Sequence, residues 1–184
     1  LQTFKVPFST LPILQREDRT KYSIALGEYR SGLRNQDNPF IAQATAIHGL
    51  NSGMTVYSGT QLSQKYKSFL LGLGANLGHY GAFSFDITHA NSELADKSSS
   101  SGQSLRFLYS KSLLSSGTTF QLLGYRYSTK GFYTLNDVTN KNMSGYNTGK
   151  DQTDLPNIED YYNLNNAKKG RFQLNISHSF GDYG

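Results

Sequence analysis

The sequence predicts an all-β protein: an antiparallel up-and-down transmembrane β-barrel segment of about eight strands. Apolar and small polar residues alternate through stretches of about ten residues, the length with which a tilted strand crosses a bilayer. Only 36% of the residues are hydrophobic, yet 13% are aromatic, which suits strands in which every second side chain is apolar. The connections between the stretches also alternate between short and long, as membrane barrels do.

The alternation is sharpest between Phe69 and Thr88, where Gly78–Gly81 predicts the tight turn of a β-hairpin. We interpret the apolar side of this hairpin as facing lipid, and its side chains are Phe69, Leu71, Leu73, Phe83, Phe85 and Ile87. Gly72 and Gly74 lie on the opposite side of the first half. We interpret that side as lining a water-filled lumen, with Ser84, Asp86 and Thr88 exposed on it.

The other elements follow from the same alternation. Thr3–Val6 is predicted as a short strand, and Pro7 and Pro12 exclude a central strand from the connector that follows. Further strands are predicted at Tyr22–Tyr29, Phe40–Leu50, Met54–Leu62, Tyr66–Asn76, Ala82–Asn91, Ser104–Leu113, Thr118–Thr129 and Arg171–Ser177.

The connections predict an orientation. Short turns are expected at Asn51–Gly53, Gly78–Gly81 and Ser115–Gly117. Long connections are expected between them, at Arg30–Pro39, Glu93–Gln103 and Leu135–Lys169. The short connection Ser63–Lys65 is the exception. Short periplasmic turns and long external loops are typical of outer-membrane barrels. The alternative is a soluble β-sandwich, such as an adhesin or carbohydrate-binding module. That fold gives no reason for short connections at one end of the strands and long connections at the other.

The later strands extend both faces. Leu105, Phe107 and Tyr109 join the lipid-facing set, and Arg106, Gln173 and Asn175 join the lumen-facing set. Arg106 and Asp86 lie on neighbouring strands and predict a cross-strand pair, which lumen water would weaken. In Thr118–Thr129, Phe120 and Leu122 share the parity of polar positions, which predicts a β-bulge.

Several classes of function are disfavoured. The chain has no cysteine, and its net charge of +5 is spread rather than grouped in a stripe, so we expect no disulfide and no nucleic-acid partner. No metal or cofactor site is expected, because His48, His79, His89 and His178 lack ligand spacing. An outer-membrane hydrolase has little support, since Asp86 and His89 would point to opposite faces. No signal peptide is visible in Leu1–Leu14, so an export signal is expected outside this chain.

Several blocks together resemble the fimbrial outer-membrane ushers of the chaperone–usher pathway, just after their plug domain. The blocks are VPFSTLPILQRED, TKYSIALGEYRSG, IHGLNSGMTVYSGTQLSQKY, GANLGHYGAFSFDITHANS, GQSLRFLYSKSL, GTTFQLLGYRYSTKGFY and EDYYNLNNAKKGRFQLNISHSFG. They cover nearly the whole chain. Asp18 departs from the family pattern, which favours Gly there, so that turn is expected to differ, and Asn140–Leu155 has no counterpart.

The resemblance implies a fragment carrying roughly strands seven to fourteen of a barrel of about twenty-four. Residues 1–20 would be the plug exit strand and linker, and residues 21–184 the barrel segment with a long external loop at 132–169. Arg16 and Glu17 would latch the linker, or else form a plain solvated turn. Phe132–Gly145 would fold inward with a short helical turn and hold the plug, or else form a mobile external loop.

The resemblance also implies the function and the partners. Ushers do no covalent chemistry. They would sit in the Gram-negative outer membrane as multi-pass proteins, bind pilin subunits and chaperone–pilin complexes, and secrete the growing fimbria through the lumen. The other expected partners are outer-membrane lipid and the protein's own plug domain.

Overall fold

The computed structural model describes residues 12–30, 37–113, 118–139, 142–143, 146–147 and 170–178. Its main feature is an antiparallel eight-stranded sheet in the order β1-β2-β3-β4-β5-β6-β7-β10, with a separate two-stranded ribbon β8-β9. The strands are β1 (Thr20–Glu28), β2 (Phe40–Gly49), β3 (Met54–Ser63), β4 (Tyr66–Asn76), β5 (Ala82–Glu93), β6 (Ser99–Leu113), β7 (Thr118–Ser128), β8 (Asn142–Met143), β9 (Tyr146–Asn147) and β10 (Gly170–His178); α1 is Leu135–Val138. The predicted all-β, up-and-down fold class is confirmed.

The connection between β5 and β6 is shorter than predicted. Glu93–Gln103 was expected to be a loop, but β5 runs to Glu93 and β6 begins at Ser99. Serine side chains do not interrupt a ladder that backbone groups form. The turn instead forms where Lys97 takes a left-handed φ of 64° and Asp96 accepts hydrogen bonds from Ser98, which lower the pKa of Asp96.

At one end of the sheet, which we call the turn end, the predicted tight turns are present. Gly78–Tyr80 forms a single 3₁₀ turn, whereas Asn51–Gly53 is a tight turn in which Ser52 takes a left-handed φ of 65°. Gly53, Gly78 and Gly81 also have positive φ. Such angles favour glycine because it has no Cβ. The opposite end, the loop end, carries the connections after β1 and β7. Ser115–Gly117 and Thr3–Val6 lie outside the described residues.

The predicted bulge is present in β7. Phe107 pairs with Tyr125, but Tyr109 pairs with Leu122, so β7 advances by one extra residue against β6. The register with β10 shifts at the same place, because Arg126 pairs with Arg171 and Leu123 with Gln173. An extra residue reverses the parity of the strand, which explains the mixed pattern in the sequence.

The two faces of the sheet differ in composition. The apolar face carries exposed side chains, including Phe69 at 51%, Leu71 at 52% and Phe85 at 44%. The opposite side, which we call the glycine face, carries Gly72 and Gly74, and the buried core lies against it. Within the described part of the chain, no helix combines the length and apolarity of a membrane span.

Candidate functional site

The centre of the glycine face holds a hydrogen-bonded network around Asp86. Asp86 on β5 is directly opposite Arg106 on β6. Arg106 donates from Nε and Nη2 to Asp86 Oδ2, at 2.9 and 2.7 Å. Tyr57 Oη on β3 donates to the same oxygen at 2.9 Å. The cross-strand pair is therefore present, and a third strand joins it.

Gly72 lets Tyr57 reach this network. It lies on β4 between Tyr57 and Asp86, and a Cβ atom there would lie only 2.2 Å from the Tyr57 ring. The ring therefore crosses β4 where a side chain is missing. The expectation that lumen water weakens the pair is wrong for this arrangement, because the side chains of Arg106 and Asp86 are only 18% and 3% exposed.

At the turn end, a segment of chain crosses the glycine face. We call it the strap and define it as Ile13–Arg16. A Cβ on Gly74 would lie 2.3 Å from the carbonyl oxygen of Ile13, and one on Gly49 would lie 2.0 Å from that of Arg16. Between them, the Gln15 amide donates to Thr55 Oγ1 at 3.0 Å. The strap thus touches β2, β3 and β4 through its backbone.

The turn after the strap explains the unusual Asp18. Its φ of 55° lies in the left-handed region, the conformation for which glycine is favoured and which aspartate tolerates. Its amide donates to the Gly49 carbonyl at 3.0 Å. The turn is therefore built here with Asp in a glycine-like conformation. Of the two linker candidates, Glu17 accepts a 3.3 Å bond from the Gly53 amide, and Arg16 accepts one from the Arg19 amide through its carbonyl.

At the loop end, a second segment crosses the same face. We call Phe132–Thr139 the α1 segment. Thr134 caps α1 in a reciprocal capping box with Asp137. The backbone of the segment also packs closely on Gly102: a Cβ atom at that position would lie 2.1 Å from the Phe132 amide nitrogen. The segment contributes buried side chains to a cluster that comprises Tyr66, Ala90, Leu94, Phe132, Tyr133, Leu135 and Val138.

The helical turn predicted for Phe132–Gly145 is present, and 132–139 packs on the glycine face. Residues 142–143 pair with 146–147 in the two-stranded ribbon, and 140–141 and 144–145 lie outside the described residues. A contact of this loop with the plug stays a prediction. Contacts from the β1–β2 connection hold α1 in place. Tyr29 Oη donates to Asn136 Oδ1 at 2.9 Å, and the Asp37 amide donates to the Thr139 carbonyl at 2.8 Å.

The two tyrosines beside α1, Tyr29 and Tyr133, both have a raised pKa. Burial raises the pKa of Tyr29, and the Asp137 carboxylate adds to the effect, while a hydrogen bond with Thr139 opposes it. Burial also raises the pKa of Tyr133, again with help from the Asp137 and Asp96 carboxylates. Phenolate formation at the loop end is therefore disfavoured while the α1 segment is docked.

The structure brings only some predicted residues together. Ser84 and Asp86 are buried, Thr88, Arg106 and Gln173 are partly buried, and the side chain of Asn175 lies outside the described ones. On the apolar face, Leu73, Leu105 and Phe107 are exposed at 50%, 36% and 37%, while Phe83, Ile87 and Tyr109 are half-buried. Contact with lipid or lumen remains a prediction for both sets.

Sequence reasoning missed Gly49, Thr55 and Gly102, which receive the crossing segments, and Tyr57, which joins the Asp86 network. The available signal was glycine inside strands, which often marks close approach of another backbone. Across the described residues, no group of three or more His, Cys, Asp or Glu could hold a metal ion.

Comparison with known proteins agrees with this geometry. The family model described as outer membrane usher protein matches residues 1–184. The chain is 54% identical over 187 residues to the outer membrane usher protein FimD of Salmonella typhimurium, covering 100% of the chain and 22% of that protein. It is 49% identical to the FimD of Escherichia coli K12, covering 98% of the chain and 21% of that protein. The chain thus spans about a fifth of these relatives.

Solved structures show the same fold. An E. coli P pilus tip assembly intermediate, PapC-PapD-PapK-PapG, matches with a TM-score of 0.67 and 23% identity over 99% of this chain and 20% of that one. The translocation pore of the P pilus usher PapC matches with a TM-score of 0.59 and 28% identity over 69% of this chain and 25% of that one. The predicted family and outer-membrane location are confirmed, and the β-sandwich alternative is wrong. The chain belongs to the outer membrane usher protein family.

Proposed function

We propose that this chain is part of the wall of an usher pore, which assembles pilin subunits delivered by a periplasmic chaperone and secretes the growing fimbria through its lumen. The observation that carries the proposal is the match of residues 1–184 to the usher family. The PapC structure, solved together with PapD, PapK and PapG, supports chaperone–pilin complexes as partners. The proposed activity is translocation and assembly without covalent catalysis.

The two faces support the proposed orientation of the wall. On the apolar face, Phe69, Leu71 and Leu73 are about half exposed, at 51%, 52% and 50%. Exposed apolar side chains in a continuous band suit contact with outer-membrane lipid. The glycine face, with Ser84, Asp86, Thr88, Arg106, Gln173 and Asn175, would face the lumen.

The proposal also covers domain organisation. Residues 1–20 would form the plug exit strand and linker, and residues 21–184 the barrel segment, with the long connection 132–169 at the external end. The protein's own plug domain would then occupy the lumen side. The inward position of the α1 segment, packed on Tyr66 and Ala90, supports a contact between this connection and the plug.

Two neighbouring residues of β1 offer a matched test of the lipid assignment. Ile24 lies on the apolar face at 73% exposure, and Ala25, also exposed, lies on the glycine face. In the full-length protein, Ile24→Arg should cost about 2–4 kcal/mol at mid-membrane, whereas Ala25→Arg should be accepted by a polar lumen. The measurement is the folded, heat-modifiable band recovered from outer membranes, together with surface fimbriae in cells that lack another usher.

The matched pair separates a membrane wall from a water-soluble sheet. Both β1 side chains are exposed in this chain, so a soluble sheet would tolerate arginine equally at the two positions. Equal recovery of the Ile24→Arg and Ala25→Arg proteins would contradict the lipid assignment. Normal insertion of the unaltered protein without any fimbriae would contradict the assembly function.

A further inference from the structure

The strap lies along one row of the sheet. Gly49 pairs with Thr55, and Thr55 pairs with Gly74, so the three residues are successive neighbours on β2, β3 and β4. Neighbouring strands lie about 4.8 Å apart, so the row spans about 10 Å. An extended chain covers about that distance in the three steps from Arg16 to Ile13. The strap therefore crosses the strands at a steep angle, with one contact per strand.

The strap packs closely on the sheet because its backbone lies over two glycines, Gly49 and Gly74, which have no side chain. Carbonyl oxygens of the strap occupy the Cβ positions of Gly49 and Gly74, at 2.0 and 2.3 Å. Gly59 and Gly27, which lie on the same face, are not approached by the strap. A Cβ on Gly59 would meet only ordinary contacts, the nearest at 3.7 Å, and one on Gly27 would meet nothing within 4 Å.

The polar contact at the middle of the row is shielded. Thr55 is 1% exposed, and its hydroxyl accepts the Gln15 amide. The next two positions of the same row, Ser84 and Leu108, are also buried, at 0% and 4%. The five residues of this row, one on each of five neighbouring strands, are therefore all buried from solvent.

We infer that Gly49, Thr55 and Gly74 form a docking track that binds the strap backbone and fixes where the chain leaves the wall for the lumen. This inference rests on the proposed function, since it concerns how the plug is tethered. The tether point is Ile13, held by the wall. The side chains of Arg16 and Glu17 make none of the track contacts, which come from strap main-chain atoms and, beside Gly74, from the Leu14 side chain.

The first test measures strap docking in the full-length protein, with cysteine introduced at Gln15 in a background without other accessible thiols. The rate of modification by a hydrophilic maleimide reports on release of the strap. Gly74→Ala places a methyl group on the Ile13 carbonyl and should raise the rate at least about fivefold, the equivalent of one lost hydrogen bond. Gly59→Ala is the matched control and should leave the rate unchanged.

A second pair of variants keeps the test independent of the glycine positions. Thr55→Val removes the acceptor for the Gln15 amide with little change of shape and should also accelerate labelling. Thr60→Val is its control, because Thr60 lies on the same strand but donates to the Ser68 carbonyl rather than to the strap. Unchanged labelling in both Gly74→Ala and Thr55→Val would overturn the docking track.

Tethering is tested by the conductance of the same proteins in planar bilayers. The two track variants should open more often than the unaltered protein, and the two controls should not. Faster labelling without more frequent opening would overturn the tethering role. Failure of the proposed function would look different: the unaltered protein would form no pore and assemble no fimbriae, while the labelling pattern persisted.

Discussion

Two segments cross the glycine face, and the sheet holds them by different means. The strap at the turn end is bound through its main chain, which sits on Gly49 and Gly74 and donates to Thr55. The α1 segment at the loop end is bound through buried side chains such as Leu135 and Val138, at 7% and 4% exposure.

This difference determines which substitutions each segment should tolerate. Backbone docking is insensitive to the side chains of the docked segment but fails when the wall gains a Cβ. At the loop end a backbone approach at Gly102 is joined by side-chain docking, which is sensitive to the residues of the docked segment because its free energy comes mainly from burial of apolar area. The two ends should therefore respond independently to local substitutions, and only a change in the sheet between them should affect both.

The largest effect is expected from the sheet between the two ends. Arg106→Leu leaves the Asp86 carboxylate, with a 3% exposed side chain, without its cationic partner. Breaking a buried pair in this way should lower the free energy of unfolding by about 3 kcal/mol. Chemical denaturation of the refolded full-length protein measures the change, and amide exchange should accelerate in the strap and the α1 segment alike.

An exposed ion pair is the control for this prediction. Arg30 pairs with Glu28 at 2.9 Å, but their side chains are 66% and 49% exposed. Arg30→Leu should therefore change the free energy of unfolding by less than about 1 kcal/mol. A similar loss in both variants would mean that the Asp86 network is solvated after all.

A smaller and local effect is expected at the loop end. Leu135→Ala removes buried apolar area from the α1 segment and should weaken its docking by about 2 kcal/mol. Amide exchange at Thr139, which donates to the Leu135 carbonyl, should then rise about thirtyfold. Exchange at Gln15 in the strap should stay unchanged, and so should both sites in the control variant Lys130→Ala, where the side chain is exposed.

Exchange that accelerated at Gln15 as well would contradict the independence of the two ends. It would mean that the α1 segment and the strap are coupled through the sheet.

The sequence predicts the sheet well because alternation is a local property. The faces of Phe69–Thr88, the Asp86–Arg106 pair and the bulge in β7 all follow from spacing along single strands or between neighbours. The docking of the strap does not follow in this way. It depends on Gly49 and Gly74, which lie on different strands and become neighbours only through Thr55 once the register is formed.

The extent of β5 and β6 shows a second limit. The polar run after Glu93 resembles a loop in composition, yet Ser99–Gln103 continues the ladder. Backbone hydrogen bonds do not depend on side-chain polarity, so composition alone could not place that boundary. Likewise, the burial of Asp86 depends on Tyr57, which reaches it across β4 from a third strand.

The smallest effect is expected from alkaline pH, and it should distinguish the two ends again. Burial raises the pKa of Tyr29 above its ordinary value of 10.0, so its neutral phenol is favoured when α1 is docked. The contribution of Tyr29 is fully present below pH 10 and is lost as the pH rises through the raised pKa. The α1 segment should therefore loosen above about pH 10, while the strap, held by amide and hydroxyl groups that do not titrate there, should remain docked.

Nitroxide labels at Lys130→Cys and Gln15→Cys report the mobility of the two ends. Raising the pH from 8 to 11, a range chosen around the ordinary tyrosine pKa of about 10, should increase mobility at position 130 alone. In the matched variant Tyr29→Phe, which keeps the ring but has no hydroxyl to ionise, the increase should be smaller, with only the Tyr133 contribution left. An equal alkaline response with and without the Tyr29 hydroxyl would show that this tyrosine does not hold the α1 segment. A response at position 15 would show that the strap depends on a titrating group, contrary to backbone docking.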